Sequence, residues 1–184
     1  GTPEIAKRFN MGFKACSRPD YVLIVGADDI MPLNYLEILL GRMKENPKLV
    51  VASGQIICQR TAESSPRGSG RLIETKFWKK ASGMKYPEMW CWEDYLAYKA
   101  LFMGLETKGF SDLHFTSIRR SFKRSGRKAF GDGKSMYCLG YSPLYVFSRV
   151  GFIFFQSPRQ SVGILAGWLS GYLNRNERVD IAGW

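Results

Sequence analysis

The sequence predicts an α/β fold, a mixed sheet flanked by helices with amphipathic helices toward its C-terminal end. Three observations carry that expectation. Tyr21-Val22-Leu23-Ile24-Val25 is a continuous apolar run, the pattern of a strand buried on both faces. Leu36, Leu39, Leu40 and Met43 recur on one face of a helical stretch from Leu33 to Glu45, and Leu49-Val50-Val51-Ala52 then opens a second strand. Strand, helix and strand in that order favour parallel strands in a layered sheet. Finally, the 184 residues are 45% hydrophobic and 23% charged, enough for one ordered domain with its own core and too apolar for a disordered chain.

The remaining elements follow in order. Thr2-Pro3-Glu4 reads as a cap, a first-turn proline and a first-turn acid, opening a helix to about Ser17. Asn46-Pro47 ends the second helix. Arg60 to Arg71 is polar and rich in Ser, Gly and Pro, the composition of a loop, and suits a flap beside an active site. A helix is expected from Ile73 to Lys80, another from Trp92 to Met103 ended by Gly104, and short strands at Glu106–Phe110 and Leu113–Ile118. From Met136 onward the composition turns aromatic and aliphatic, in stretches 141–155 and 162–173. Each is shorter than the ~20 residues that span a bilayer, so they read as interfacial helices or as helices packed on the sheet.

Charge narrows the partners. A net charge of +11 favours an anionic ligand or surface: nucleic acid, a phosphorylated substrate or an acidic membrane. The basic run Arg119, Arg120, Lys123, Arg124, Arg127 and Lys128 is interleaved with Ser and Gly rather than aromatics, which argues against a single-strand nucleic-acid platform. It can be a solvated face, a clamp on a diphosphate or a lipid head-group patch. Cys16, Cys58, Cys91 and Cys138 form no C-x-x-C pair, so reduced cysteines in a cytoplasmic protein are expected.

Three groups of residues can do chemistry. Asp28 and Asp29 end a buried strand, where α/β sheets place their ligands. Paired carboxylates there can hold a hard divalent cation, or they can simply shape a turn and cap the next helix. Glu93 and Asp94, after Trp92, begin a helix, where the dipole favours acids; a carboxylate fixed there can also act as a general base. His114, the sole histidine, would complete a mixed oxygen and nitrogen metal site if it reached Asp28; a structural role is the alternative.

In order, these segments resemble the family 2 glycosyltransferases of GT-A fold. Ala6-Lys7-Arg8-Phe9-Asn10-Met11-Gly12 is similar to the family's helix before the metal strand, and Tyr21 through Ile30 to its strand ending in D-x-D. Arg67-Gly68-Ser69-Gly70-Arg71-Leu72 is similar to the glycine-containing segment before the acceptor-side helix. Trp92-Glu93-Asp94-Tyr95 matches the Glu-Asp motif of the catalytic base, and His114 with the basic residues after it resembles the late His and Arg region. The resemblance implies a partial GT-A (Rossmann-like) sheet and inverting transfer of a sugar from a nucleotide-sugar donor to an acceptor hydroxyl on a polysaccharide, glycolipid or lipid-linked glycan. It gives Asp28 and His114 to a Mn2+ or Mg2+ ion, Asp94 to the base, Arg119 and Arg120 to the donor diphosphate, and supporting roles to Asp29, Gly70, Trp92 and Glu93. Residues 1–135 would form the metal- and acceptor-binding part and 136–184 an amphipathic helical region.

Two departures from the family stand out. Gly26 occupies the place of the first acid of D-x-D, and nothing like the family's N-terminal nucleotide-binding region precedes the first helix. The expectation is therefore an incomplete enzyme, in which strand 21–25 lies at an open edge able to pair with a second copy. A cytoplasmic protein, peripheral at the membrane, is expected, with Arg149, Arg159 and Arg175 at the interface and Phe152, Phe154, Phe155 and Trp168 buried in it. The competing reading is a non-catalytic membrane-surface or assembly module on the same sheet.

Overall fold

The computed structural model describes residues 2–15, 19–57, 66–118 and 126–181. Its elements are α1 (Pro3–Ala15), β1 (Tyr21–Ile24), β2 (Asp29–Ile30), α2 (Tyr35–Glu45), β3 (Leu49–Ile56), β4 (Arg71–Glu74), α3 (Thr75–Ser82), α4 (Trp92–Phe102), β5 (Glu106–Ser117), α5 (Gly126–Cys138), α6 (Pro143–Phe154) and α7 (Pro158–Leu173). They form two compact units, one of Gly12–Lys85 with Leu96–Arg120, the other of Gly1–Met11, Tyr86–Tyr95 and Ser121–Trp184.

The first unit holds the sheet, in the order β1-β4-β3-β5-β2. Seven of the eight residues of β3 are buried, as an apolar central strand requires. β3 and β5 are parallel, whereas β4 lies antiparallel to both β1 and β3. The expected parallel direction of β1 and β3 is kept, but they are not neighbours. Arg71–Glu74, whose C-terminal half was expected to be helical, supplies the strand between them. Leu72 and Ile73 are both fully buried there, and α3 begins only at Thr75. So short an apolar run before a helical pattern has no period of its own to separate strand from helix. Glu106 to Ser117 is one strand with a bulge, not two: β5 advances from Gly109 to His114 while β3 advances from Ser53 to Gln55. β1 ends the strand order, so its outer side has no strand partner among the described residues.

Tyr35 organises this unit. It is the first residue of α2, 1% exposed, and packs with Leu39, Met43, Leu49, Ala52, Leu72, Leu113 and Phe115. Its hydroxyl donates to the Gly70 carbonyl at 2.7 Å and accepts the Gly54 N–H at 2.7 Å. One oxygen thus satisfies a donor in β3 and an acceptor just before β4 that the core would otherwise leave without water. Neither glycine can carry a side chain. A Cβ on Gly54 would lie 2.4 Å from the Leu113 carbonyl oxygen in the β5 bulge, and Gly70, at φ +69°, would put one 2.5 Å from the Tyr35 hydroxyl.

In the second unit, Ala129, Met136, Tyr137, Val146, Ile164 and Trp168 make the core between α5, α6 and α7. Trp168, expected in a lipid interface, is 5% exposed inside this core. The cause is a ladder at four-residue spacing on α7, Gly163, Gly167 and Gly171, which faces α5. A Cβ on Gly167 would sit 2.0 Å from the Phe130 carbonyl oxygen, and one on Gly133 of α5 would sit 2.0 Å from that of Ile164. The two backbones meet without side chains between them, and Trp168, beside the ladder, is enclosed. α6 packs with Val146, Val150 and Ile153, and the Ser161 hydroxyl of α7 donates to the Val150 carbonyl at 2.7 Å.

Gly167→Val should destabilise the protein by at least ~2 kcal/mol through overpacking. Gly151→Ala, where no neighbour lies within 4 Å, should be neutral or stabilising by up to ~1 kcal/mol. Urea denaturation compares the two, and equal effects would refute the close α5–α7 approach. Tyr35→Phe should cost roughly 1–3 kcal/mol by orphaning two buried backbone groups. Burial pushes the Tyr35 hydroxyl from 10.0 up to about 12, so the folded state keeps a proton that the unfolded chain releases above pH 10. That contribution is fully present below pH 10 and is lost as pH rises toward 12. The stability gap between wild type and Tyr35→Phe should therefore shrink between pH 8 and pH 11; an unchanged gap would contradict the buried hydroxyl.

Candidate functional site

In the sheet unit, the candidate residues gather at the turn between β1 and β2. The turn closes when the Asp29 N–H donates to the Gly26 carbonyl at 3.1 Å. Ser69, in the loop before β4, accepts the Gly26 N–H at 2.7 Å and donates to the Asp29 carboxylate. The Gly70 N–H donates to the Ile24 carbonyl at 2.8 Å. That loop is held by Arg71, 1% exposed, whose guanidinium donates to the Pro66 and Arg67 carbonyls, both at 2.8 Å. Asp29 is thus engaged in the turn, and Gly70 acts as a link between β1 and the Tyr35 hydroxyl.

Asp28 has different surroundings. Its carbonyl accepts the Ile118 N–H at 2.8 Å, and among the described residues its carboxylate receives a long contact, 3.5 Å, from the Ser117 hydroxyl. The structure also explains why residue 26 departs from D-x-D. A Cβ on Gly26 would lie 2.7 Å from an Asp29 carboxylate oxygen and 3.1 Å from one of Asp28. Both acids fold back over this position, and a third carboxylate there would meet two like charges.

His114 stands exposed on β5, on the face opposite the buried Leu113 and Phe115, whereas Ser117 shares their face and pairs with Asp29. Strand alternation therefore brings Ser117, and not His114, to Asp28. No group of three His, Cys, Asp or Glu side chains suited to a metal occurs among the described residues. Among the described residues, the donor set at the turn is one loosely held carboxylate. That fits a divalent cation whose shell is completed by substrate phosphates and water, and does not make an all-protein cage. Arg119 and Arg120 lie outside the described residues.

In the helical unit, the start of α4 is anchored by aromatics. The Trp92 ring, 7% exposed, packs on Phe9 at 5.5 Å and Tyr86 at 5.1 Å between centroids. The Asn10 side chain grips the Tyr86 backbone in both directions, donating at 2.9 Å and accepting at 2.8 Å. Trp92 is an anchor for its neighbours Glu93 and Asp94. Behind them the buried Cys91 thiol is hydrogen-bonded to Cys138, which with burial pushes its pKa well above the usual thiol range. This contact ties the start of α4 to the end of α5.

Between those two elements lies a cavity of about 500 Å³, lined by Trp90, Glu93 and Asp94 on one side and by Arg127, Lys128 and Asp132 of α5 on the other. Trp90 lies against Gly131, where a Cβ would be 3.2 Å from its ring, and the Lys134 ammonium sits 5.3 Å from its ring centroid. An exposed carboxylate, cations and an indole around one cavity can take a hydroxyl-bearing ligand, bind negative charge and exchange a proton. Sequence reasoning missed Tyr35, Ser69, Ser117, Trp90 and Asp132 as site residues. Trp90, two positions before Trp92, was the one with a local signal.

The sequence model of glycosyl transferase family 2 matches residues 4–125, a stretch that includes the β1–β2 turn and the Glu93-Asp94 pair. No curated protein sequence matches the chain. Among solved structures, it is similar to the mannosyltransferase PcManGT from Pyrobaculum calidifontis, in complex with GDP-Man and Mn2+, with a TM-score of 0.56 at 12% identity. The similarity covers 91% of this chain and 54% of that one, so the chain spans about half the length of the relative. At that identity the likeness shows the fold, a GT-A type α/β sheet, and agrees with the sequence match. With two thirds of its residues matched, the chain belongs to glycosyl transferase family 2.

Proposed function

We propose that the protein transfers a sugar from a nucleotide-sugar donor to an acceptor hydroxyl with inversion at the anomeric carbon. The observation that carries this reading is Asp94, a carboxylate at the start of a helix, on a cavity large enough for a sugar ring. The acceptor hydroxyl enters that cavity, gives its proton to Asp94 and attacks the anomeric carbon opposite the leaving group. The bond from that carbon to the diphosphate oxygen breaks, and the nucleoside diphosphate leaves with the electron pair. Glu93 supports the helix start through the dipole.

The β1–β2 turn is the proposed donor end. Asp28 would hold a Mn2+ or Mg2+ ion there, with donor phosphates and water as the other ligands and Ser117 beside it. The chemistry such an ion supplies when bound is offset of negative charge on the departing diphosphate. That PcManGT is in complex with GDP-Man and Mn2+ supports this assignment of donor class and metal. Ser69, by engaging Asp29, leaves Asp28 as the acid available to the cation. On this reading the metal- and acceptor-binding residues fall within 1–135, and the acceptor is a glycan or a lipid-linked glycan.

In the whole protein, Asp94→Asn should lower turnover ~10²–10⁴-fold with donor affinity nearly unchanged, because the amide keeps the shape and cannot take the proton. Asp28→Ala should instead weaken cation-dependent binding of a nucleoside diphosphate. Calorimetric titration with Mn2+ and the diphosphate, beside a turnover assay, separates the two. Near-normal turnover of Asp94→Asn would remove it from the mechanism, and unchanged titration of Asp28→Ala would remove the turn from the donor site.

A further inference from the structure

No helix among the described residues is long and apolar enough to cross a membrane. Even so, α6 carries large apolar side chains on its outward side as well as toward the core. Val146, Val150 and Ile153 face the core of the helical unit. On the outward side Leu144 is 79% exposed, Phe152 70% and Phe155, just past the helix end, 90%, while Phe147, 52% exposed, stands at the border with its ring 6.2 Å from that of Trp168. Positions 144, 147, 148, 151, 152 and 155 share one side of the helix, so the apolar groups form a stripe in which Ser148 is the polar member, its hydroxyl donating to the Leu144 carbonyl at 2.9 Å. Leaving so many large apolar groups in water on one short helix requires a partner.

Charge selects the partner. From Gly133 to Asn176 the sequence has no Asp or Glu, while Lys134, Arg149, Arg159 and Arg175 lie within it. A second copy seated on this stripe would bring like charges together, whereas an anionic lipid surface meets them with opposite charge. Tyr145 is 45% exposed at the border of the stripe, and its hydroxyl accepts from Arg149 at 3.2 Å. An aromatic ring with a polar tip beside a guanidinium is the arrangement favoured at the level of lipid head groups.

We infer that α6 lies in the surface of an anionic membrane, with Leu144, Phe147, Phe152 and Phe155 among the upper acyl chains and Arg149 at the head groups. The helix runs along the surface, because its 12 residues are too few to span the bilayer. This inference stands independently of the transfer reaction. Helices α5 and α7, which pack beneath the other face, fix the stripe as a preformed surface and not one that must fold on contact.

Flotation of the full chain with vesicles of phosphatidylcholine alone, or with added phosphatidylglycerol, tests it. Binding should need the anionic lipid and fall as salt rises. The double variant Phe152→Ser with Phe155→Ser should bind about tenfold more weakly or worse, since two large apolar groups no longer leave water. Arg149→Glu should bind about fivefold more weakly or worse. Circular dichroism and the thermal midpoint should be unchanged in both, because these side chains are exposed, so lost binding cannot be assigned to unfolding. Absence of flotation at low salt, or equal flotation of the double variant, would overturn the inference. So would a dimer in sedimentation that the double variant dissolves while lipid binding is absent, which would make a second copy the occupant.

Discussion

One hydroxyl group sets much of the geometry of the sheet unit. Tyr35 stands where α2 begins, its ring inside the core and its oxygen shared between the Gly54 N–H and the Gly70 carbonyl. Gly70 in turn donates to the end of β1, and its neighbour Ser69 holds both Gly26 and Asp29. A series of hydrogen bonds therefore connects the helix to the strand centre, then to the loop before β4, then to the turn that carries Asp28. The links to Tyr35 are buried, and those from Ser69 to the turn are partly exposed. Two glycines, a tyrosine and a serine thus shape the turn proposed to hold the cation.

The helical unit depends on a different constraint. The glycine ladder of α7 lets its backbone touch that of α5, and this close contact encloses Trp168 and gives α6 a surface to rest on. α5 then carries Arg127, Lys128 and Asp132 along one wall of the cavity, while the Cys91 to Cys138 contact and the aromatic anchor of Trp92 fix the other wall. The acids of α4 gain their position from neighbours that do no chemistry. Packing of this kind holds the helix start more firmly than an exposed loop would, as the proposed base, which must meet a hydroxyl at hydrogen-bond distance, requires.

Much of this was legible in the residues, for physical reasons that differ by element. The run from Tyr21 to Val25 and the period of Leu36, Leu39, Leu40 and Met43 announce a strand and a helix because burial imposes those spacings. The order of motifs from Asn10 to Asp94 pointed to the family, and the sequence match agrees. What stayed hidden is long-range. Arg71 to Glu74 becomes a strand because β1 and β3 lie on either side of it, and no local pattern records that. Trp168 looked like an interfacial aromatic until the ladder at Gly163, Gly167 and Gly171 is read as a helix-packing seam. His114 and Asp28 were linked by resemblance, yet strand alternation depends on the register between β2 and β5, which places Ser117 there. Gly26 looked like a missing acid, and the geometry supplies the reason that it carries no side chain.

The proposed reaction is one displacement at a sugar carbon, with Asp94 as the base that takes the acceptor's proton. The most direct measurement is proton NMR of the whole protein's reaction, with a panel of nucleotide-sugars, a divalent cation and a glycan acceptor, reading the anomeric configuration of the first product. Release of the nucleoside diphosphate together with a product of inverted configuration is expected. A product that retains the donor's configuration would contradict it, as would no transfer from any donor by a folded protein.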